Sequence, residues 1–105
     1  MELFRDKLFE KENFTIAPLA QGEYENCNFI NCDFSISDLS EMKFLECHFS
    51  GCNLSLAKLE KTSLREVEFK DCKMLGLLFE NCYEFGLTVN FENCNLNHSS
   101  FFQKK

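Results

Sequence analysis

Large apolar side chains recur at every fifth position of this chain. The series runs Phe4, Phe9, Phe14, Leu19, Tyr24, Phe29, Phe34, Leu39, Phe44, Phe49, Leu54, Leu59, Leu64, Phe69, Met74 and Phe79. A step of five fits neither common element. On an α-helix it turns about 140° each time and scatters the apolar residues over the whole surface. On a flat strand an odd step sends half of them to solvent. The pattern becomes coherent if the chain turns a corner every five residues, always in the same sense, so that each short side points its central residue inward. The expected fold is therefore all-β, a solenoid.

Two residues before each of these centres stands a second column, mostly small: Ala17, Gly22, Cys27, Cys32, Ser37, Met42, Cys47, Cys52, Ala57, Thr62, Val67, Cys72, Leu77 and Cys82. Six of the seven cysteines fall in this phase, and Cys94 stands in the same relation to Leu96. Shared phase marks the cysteines as a packing slot. A zinc site would need four ligands converging tetrahedrally, whereas these thiols sit on successive sides among Phe. Cysteines stacked one coil apart are also spaced wider than a disulfide prefers.

Phe29, Phe49 and Phe69 repeat at twenty, as do Cys32, Cys52 and Cys72 and the corner residues Asn31, Gly51 and Asp71. Four sides of five residues therefore make one coil, and the chain holds about five coils. Asn, Gly and Asp tolerate the left-handed backbone that a tight corner requires. The expected interior columns are Phe29/Phe49/Phe69/Val89, Phe14/Phe34/Leu54/Met74, Leu19/Leu39/Leu59/Phe79 and Tyr24/Phe44/Leu64. The structural core is expected around Phe29, Phe34, Phe44, Phe49 and Phe69 with Cys27, Cys32, Cys47, Cys52 and Cys72.

The segments CNFIN, CDFSI, CNLSL and AKLEK show a small residue, then Asp, Asn or another polar residue, then Leu or Phe and two variable positions. This resembles the pentapeptide-repeat proteins over about residues 12 to 101, and the resemblance implies a right-handed, four-sided β-helix. Within that family, KENFTIAPLAQGEYENCNFINCDFSISDLSEMKFLECHFSGCNLSLAKL and CKMLGLLFENCYEFGLTV are similar to the Qnr group of quinolone-resistance proteins. That likeness implies a dimeric acidic rod that mimics B-DNA, binds DNA gyrase or topoisomerase IV and protects them from quinolones. The alternative is a structural repeat module, or a fragment of a longer solenoid, with another protein partner.

The net charge of −6 argues against direct nucleic-acid binding, because phosphate contacts need clustered Lys and Arg. The N-terminal MELFRDKLFEKENF has no apolar signal core, and no apolar run reaches the roughly 18 residues of a membrane span. Both point to a cytoplasmic protein with reduced thiols. Only His48 and His98 are available as imidazole bases. No nucleophile–base arrangement or phosphate-binding loop can be assembled from the sequence, so neither an enzyme nor a cofactor is expected.

Two features suggest partner surfaces. Glu46 and Glu66 share one corner column, and the outward apolar residues Ile36 and Leu56 share another, with Leu75 nearby. One domain is expected over 1–105, irregular near 82–96. There Glu84 takes a centre position, where a buried carboxylate would be costly. A bulge is expected to turn it outward and let Phe85 replace it. Val89 is then expected to resume the series, with two residues inserted before Leu96. Phe101 and Phe102, followed only by Gln103, Lys104 and Lys105, suggest a homodimer through the C-terminal end.

Overall fold

The computed structural model describes residues 1–101; Phe102, Gln103, Lys104 and Lys105 lie outside the described residues. Among the described residues nine short strands form two parallel sheets. One has the order β1 (Glu2–Arg5), β3 (Gly22–Glu25), β5 (Lys43–Leu45), β7 (Ser63–Arg65). The other has the order β2 (Leu8–Glu10), β4 (Asn28–Ile30), β6 (His48–Ser50), β8 (Val67–Lys70), β9 (Val89–Glu92). Neighbours in each sheet are one coil apart, as in Phe9↔Phe29, Phe29↔Phe49 and Phe49↔Phe69. The protein is a β-solenoid of about five coils. No helix of the described residues is long and apolar enough to cross a membrane.

The other two sides of each coil are held differently. Isolated parallel bridges link Asn13, Asp33, Asn53, Lys73 and Asn95 down the third side, and Asp38 and Lys58 on the fourth. Here the corners are hydrogen-bonded turns: Ser37 N–H donates to the Phe34 carbonyl (3.0 Å), and Ala57 to Leu54 and Thr62 to Leu59 (both 3.1 Å). The third residue of each turn has positive φ, as at Ile36, Leu56 and Lys61, which is the signature of a type II turn. Asp33, Asn53 and Asn95 each accept from the backbone N–H two residues on (2.9–3.1 Å), clamping the chain as it enters the turn.

The centres fill the interior. Phe29 is stacked on Phe9 (4.8 Å between centroids) and on Phe49 (4.6 Å), and Phe49 on Phe69 (5.0 Å). Around the axis the rings meet edge-on: Phe44 and Phe49 cross at 70°, Phe29 and Phe34 at 71°. Stacking along the axis and edge-to-face contact around it are the two favourable aromatic geometries. The coil spacing and the square cross-section supply both at once. Phe29, Phe34, Phe44, Phe49 and Phe69 are all buried, as are Cys27, Cys32, Cys47, Cys52 and Cys72.

The register corrects the expected last column. Val89 pairs with Val67, and Phe91 pairs with Phe69 and stacks on it at 5.5 Å. Phe91, not Val89, continues the Phe29/Phe49/Phe69 column. The Tyr83 N–H still bonds the Thr62 carbonyl in the twenty-residue register, whereas Asn93 bonds Asp71 across twenty-two. The two inserted residues therefore lie between Tyr83 and Val89, not between Val89 and Leu96. Glu84 is exposed, but Phe85 does not replace it and stands 71% exposed. The half-buried Leu87 packs against the core instead.

Candidate interaction surfaces

The cysteine slot has a second requirement besides small size. Thiols in it donate to the carbonyl of a centre one coil back: Cys47 to Tyr24 (3.3 Å), Cys52 to Phe29 (3.2 Å), Cys72 to Phe49 (3.3 Å). Cys32 reaches Phe9 (3.4 Å) and Cys94 reaches Phe69 (3.3 Å) in the same way. Thr62 and Ser99 use the same slot, their hydroxyls donating to Leu39 and Met74 at 2.7 Å. Cysteine combines apolar bulk with a weak donor, which suits a slot lined by rings and by two carbonyls, the second from the residue two before the cysteine. Ser37 shows the requirement by exception. Its hydroxyl is buried and unpaired, and the coil above it leaves the regular path after Phe14, where Ile16 and Ala17 turn back to the Asn13 carbonyl.

Burial pushes the Cys47 and Cys82 thiols up to about 12 and raises Cys32 and Cys94 as well. Contact with Cys72, together with burial, raises Cys52. A thiol held protonated is neither a ready nucleophile nor a ready metal ligand. Among the described residues no three His, Cys, Asp or Glu side chains converge as metal-ion ligands. One cysteine differs from the expected uniform burial: Cys94, in the last coil, is only half-buried.

The outward surface is organised by the corners, whose residues have φ between 52° and 69°. One edge carries Asp6, Asn26, Glu46 and Glu66; the next carries Lys11, Asn31, Gly51 and Asp71; the third carries Ile36, Leu56 and Gly76; the fourth carries Glu41 and Lys61. Glu46 and Glu66 therefore stand on the edge diagonally opposite Ile36 and Leu56. Leu75, half-buried, lies beside Gly76, its N–H bonded to the Ser55 hydroxyl (3.1 Å). The five residues singled out from sequence do not form one surface. They form an acidic edge and an apolar edge, back to back.

The apolar edge carries strain. Ile36 and Leu56 both have φ of 60°, unfavourable for any residue with a Cβ and most of all for a β-branched one. Bonds from their N–H groups to Ser55 (2.9 Å) and Leu75 (2.8 Å) on the next coil hold them there. Both side chains remain exposed, at 71% and 58%. Below Leu56 a Cβ at Gly76 would stand 2.7 Å from the leucine Cδ2, so glycine is required there both for φ and for room.

The sequence reading missed the surface that the insertion builds. Glu84 to Leu87 is a turn with Gly86 at φ 69°, closed by the Leu87 N–H on the Glu84 carbonyl (3.4 Å). It projects Tyr83 and Phe85 beside the first sheet, their rings 5.6 Å apart. Arg65 packs under Gly86, where a Cβ would lie 2.8 Å from the guanidinium Nε. The available signal was the exposed pair of aromatics flanking the carboxylate that breaks the series.

The family model described as a pentapeptide repeat region matches residues 22–101. No curated protein matches the chain. Among solved structures, a trypsin-treated form of QnrB1, described as a plasmid-mediated fluoroquinolone resistance protein, aligns with 21% identity and a TM-score of 0.43. The alignment covers 93% of this chain and 57% of that one, so the chain spans a little over half its length.

Proposed function

Since the chain belongs to the pentapeptide-repeat family, we propose that it is a non-enzymatic, cytoplasmic protein-binding rod that occupies the DNA site of a type II topoisomerase and shields it from quinolones. The observation that carries this reading is the edge on which Asp6, Asn26, Glu46 and Glu66 follow one another at the coil spacing of about 4.8 Å, three of the four acidic and flanked by Glu25 and Glu68. Carboxylates held on rigid corners imitate a row of phosphates, and a net charge of −6 steers the rod toward a basic cleft. The likeness of residues 11–59 to the Qnr group supports the same partner. DNA supercoiling by gyrase, with and without a quinolone, tests it. The chain should restore supercoiling in the presence of the drug, and a Glu46→Lys/Glu66→Lys double variant should need about tenfold more protein. Gyrase unaffected at every concentration would favour a structural repeat module with another partner.

The same proposal pairs two copies through the C-terminal end. There Phe101 stacks on Phe79 at 4.4 Å and remains half exposed, an apolar contact that a second copy would cover. Light scattering over a dilution series should give a dimer that dissociates on dilution. A monomer at all concentrations would exclude the pairing.

A further inference from the structure

A groove of about 730 Å³ runs along the outward face of the first sheet, between the Tyr83–Gly86 turn and the fourth corner. Its floor is Lys43, Leu45, Ser63 and Arg65, the outward residues of β5 and β7. Lys43 and Ser63 are neighbours in register, and the Tyr83 N–H bonds the Thr62 carbonyl, so Ser63 lies between Lys43 and the aromatic rim. A small side chain between larger ones makes a dip. Tyr83 and Phe85 wall it, 47% and 71% exposed.

Three cations line this space: Lys43, Arg65 and, from the fourth corner, Lys61. The ion pairs of the described residues are Arg5–Glu25, His48–Glu68 and Lys70–Glu92, and they use none of the three. Glu23 and Glu41 also line the groove, Glu23 in register with Lys43 and Glu41 on the same corner as Lys61, so three cations stand among two carboxylates. Volume, rings and cations of this kind are what a small acidic and aromatic ligand needs.

We infer that this groove is a docking site for a short extended acidic peptide segment, one aromatic side chain entering the dip over Ser63 and flanking carboxylates meeting Lys43, Lys61 and Arg65. The groove uses other side chains than the acidic edge, whose Glu46 and Glu66 directly follow Leu45 and Arg65 of its floor. A single strand of nucleic acid would also bring rings and negative charge. The carboxylates of Glu23 and Glu41 and the overall charge of −6 oppose a longer polyanion.

The test uses the full chain and a fluorescently labelled peptide, Glu-Asp-Phe-Asp-Glu, read by anisotropy. Binding should weaken about tenfold for Lys43→Gln, Arg65→Gln or Phe85→Ser, and should weaken as salt is raised. Lys70→Gln, on the other sheet, should leave it unchanged. The amide peptide Gln-Asn-Phe-Asn-Gln and the ring-free peptide Glu-Asp-Ser-Asp-Glu should each bind at least about tenfold more weakly. Circular dichroism melts check that the variants fold. If Arg65→Gln is destabilised through its packing on Gly86, the exposed Lys43 and Phe85 positions decide. Equal binding of the amide peptide, unchanged affinity in the Lys43 and Phe85 variants, or tighter binding of oligothymidylate would each overturn the proposal.

Discussion

Replacing Phe49 by alanine should destabilise the fold by about 3–5 kcal/mol, while the adjacent His48→Ala should cost less than about 0.5 kcal/mol. The Phe49 ring is buried, stacked between Phe29 and Phe69 at 4.6 and 5.0 Å, and meets Phe34 and Phe44 edge-on at 5.7 and 5.5 Å. Truncation would remove contacts on four sides and leave a cavity that β4, β6 and β8, tied by their ladder, cannot close. The His48 side chain faces solvent, and its imidazole makes an exposed approach of 3.7 Å to Glu68, a pairing worth little. Denaturant melts of the two variants decide the matter. Equal losses would mean that the inward phase has been assigned to the wrong residues.

The interior was legible from sequence because one rule generates it. A centre every fifth residue and a small residue two before it can point inward only if each side is short and each corner turns the same way. The centres from Phe14 to Phe79 are buried as the step of five requires. The rule also located the disturbance at Glu84, but it assigned the repair wrongly. Counting forward in fives from Phe79 reaches Val89, a plausible apolar residue, and hides the insertion. Counting back from Leu96 reaches Phe91, which carries Cys94 in the slot three residues on and Phe101 two steps later. Register in a solenoid is enforced by the ladder of neighbouring coils, so extra residues are expelled to a corner as a turn. The choice between Val89 and Phe91 was settled by which residue could stack on Phe69.

The corners were only partly legible. Asn31, Gly51 and Asp71 take the left-handed conformation that their side chains favour, but so do Ile36, Leu56, Glu46 and Lys61. At such positions the bonds between coils override local preference. The division into two strand faces and two turn faces was also hidden, because the same inward pattern serves both. The outward positions have no period to read. Glu46 and Leu56, on separate columns of the sequence, face away from each other, since corners two steps apart on a square are diagonal. The groove beside the first sheet was missed for a related reason: Lys43, Lys61 and Arg65 are scattered along the chain and meet only through the coil repeat.

The cysteines offer the largest effect after Phe49. Burial raises Cys47 and Cys82 from an ordinary value of 9.0 to about 12. The folded state therefore favours the protonated thiol. That contribution to stability is fully present below pH 9 and is lost as the pH rises toward 12, because the unfolded chain releases these protons first. At pH 8 the buried thiols are shielded from reagent, and Cys47 and Cys82 are also held protonated. Alkylation with site-by-site mass spectrometry at that pH is the most direct test of the central claim, that one repeating slot places these residues inside a four-sided coil. Cys94, half-buried in the last coil, should react first, and Cys27, Cys32, Cys47, Cys52, Cys72 and Cys82 should react at least about a thousandfold more slowly than in denaturant, where all seven label. Rapid native labelling of Cys47 or Cys52, or fewer than seven reactive thiols in a reduced, unfolded sample, would contradict it.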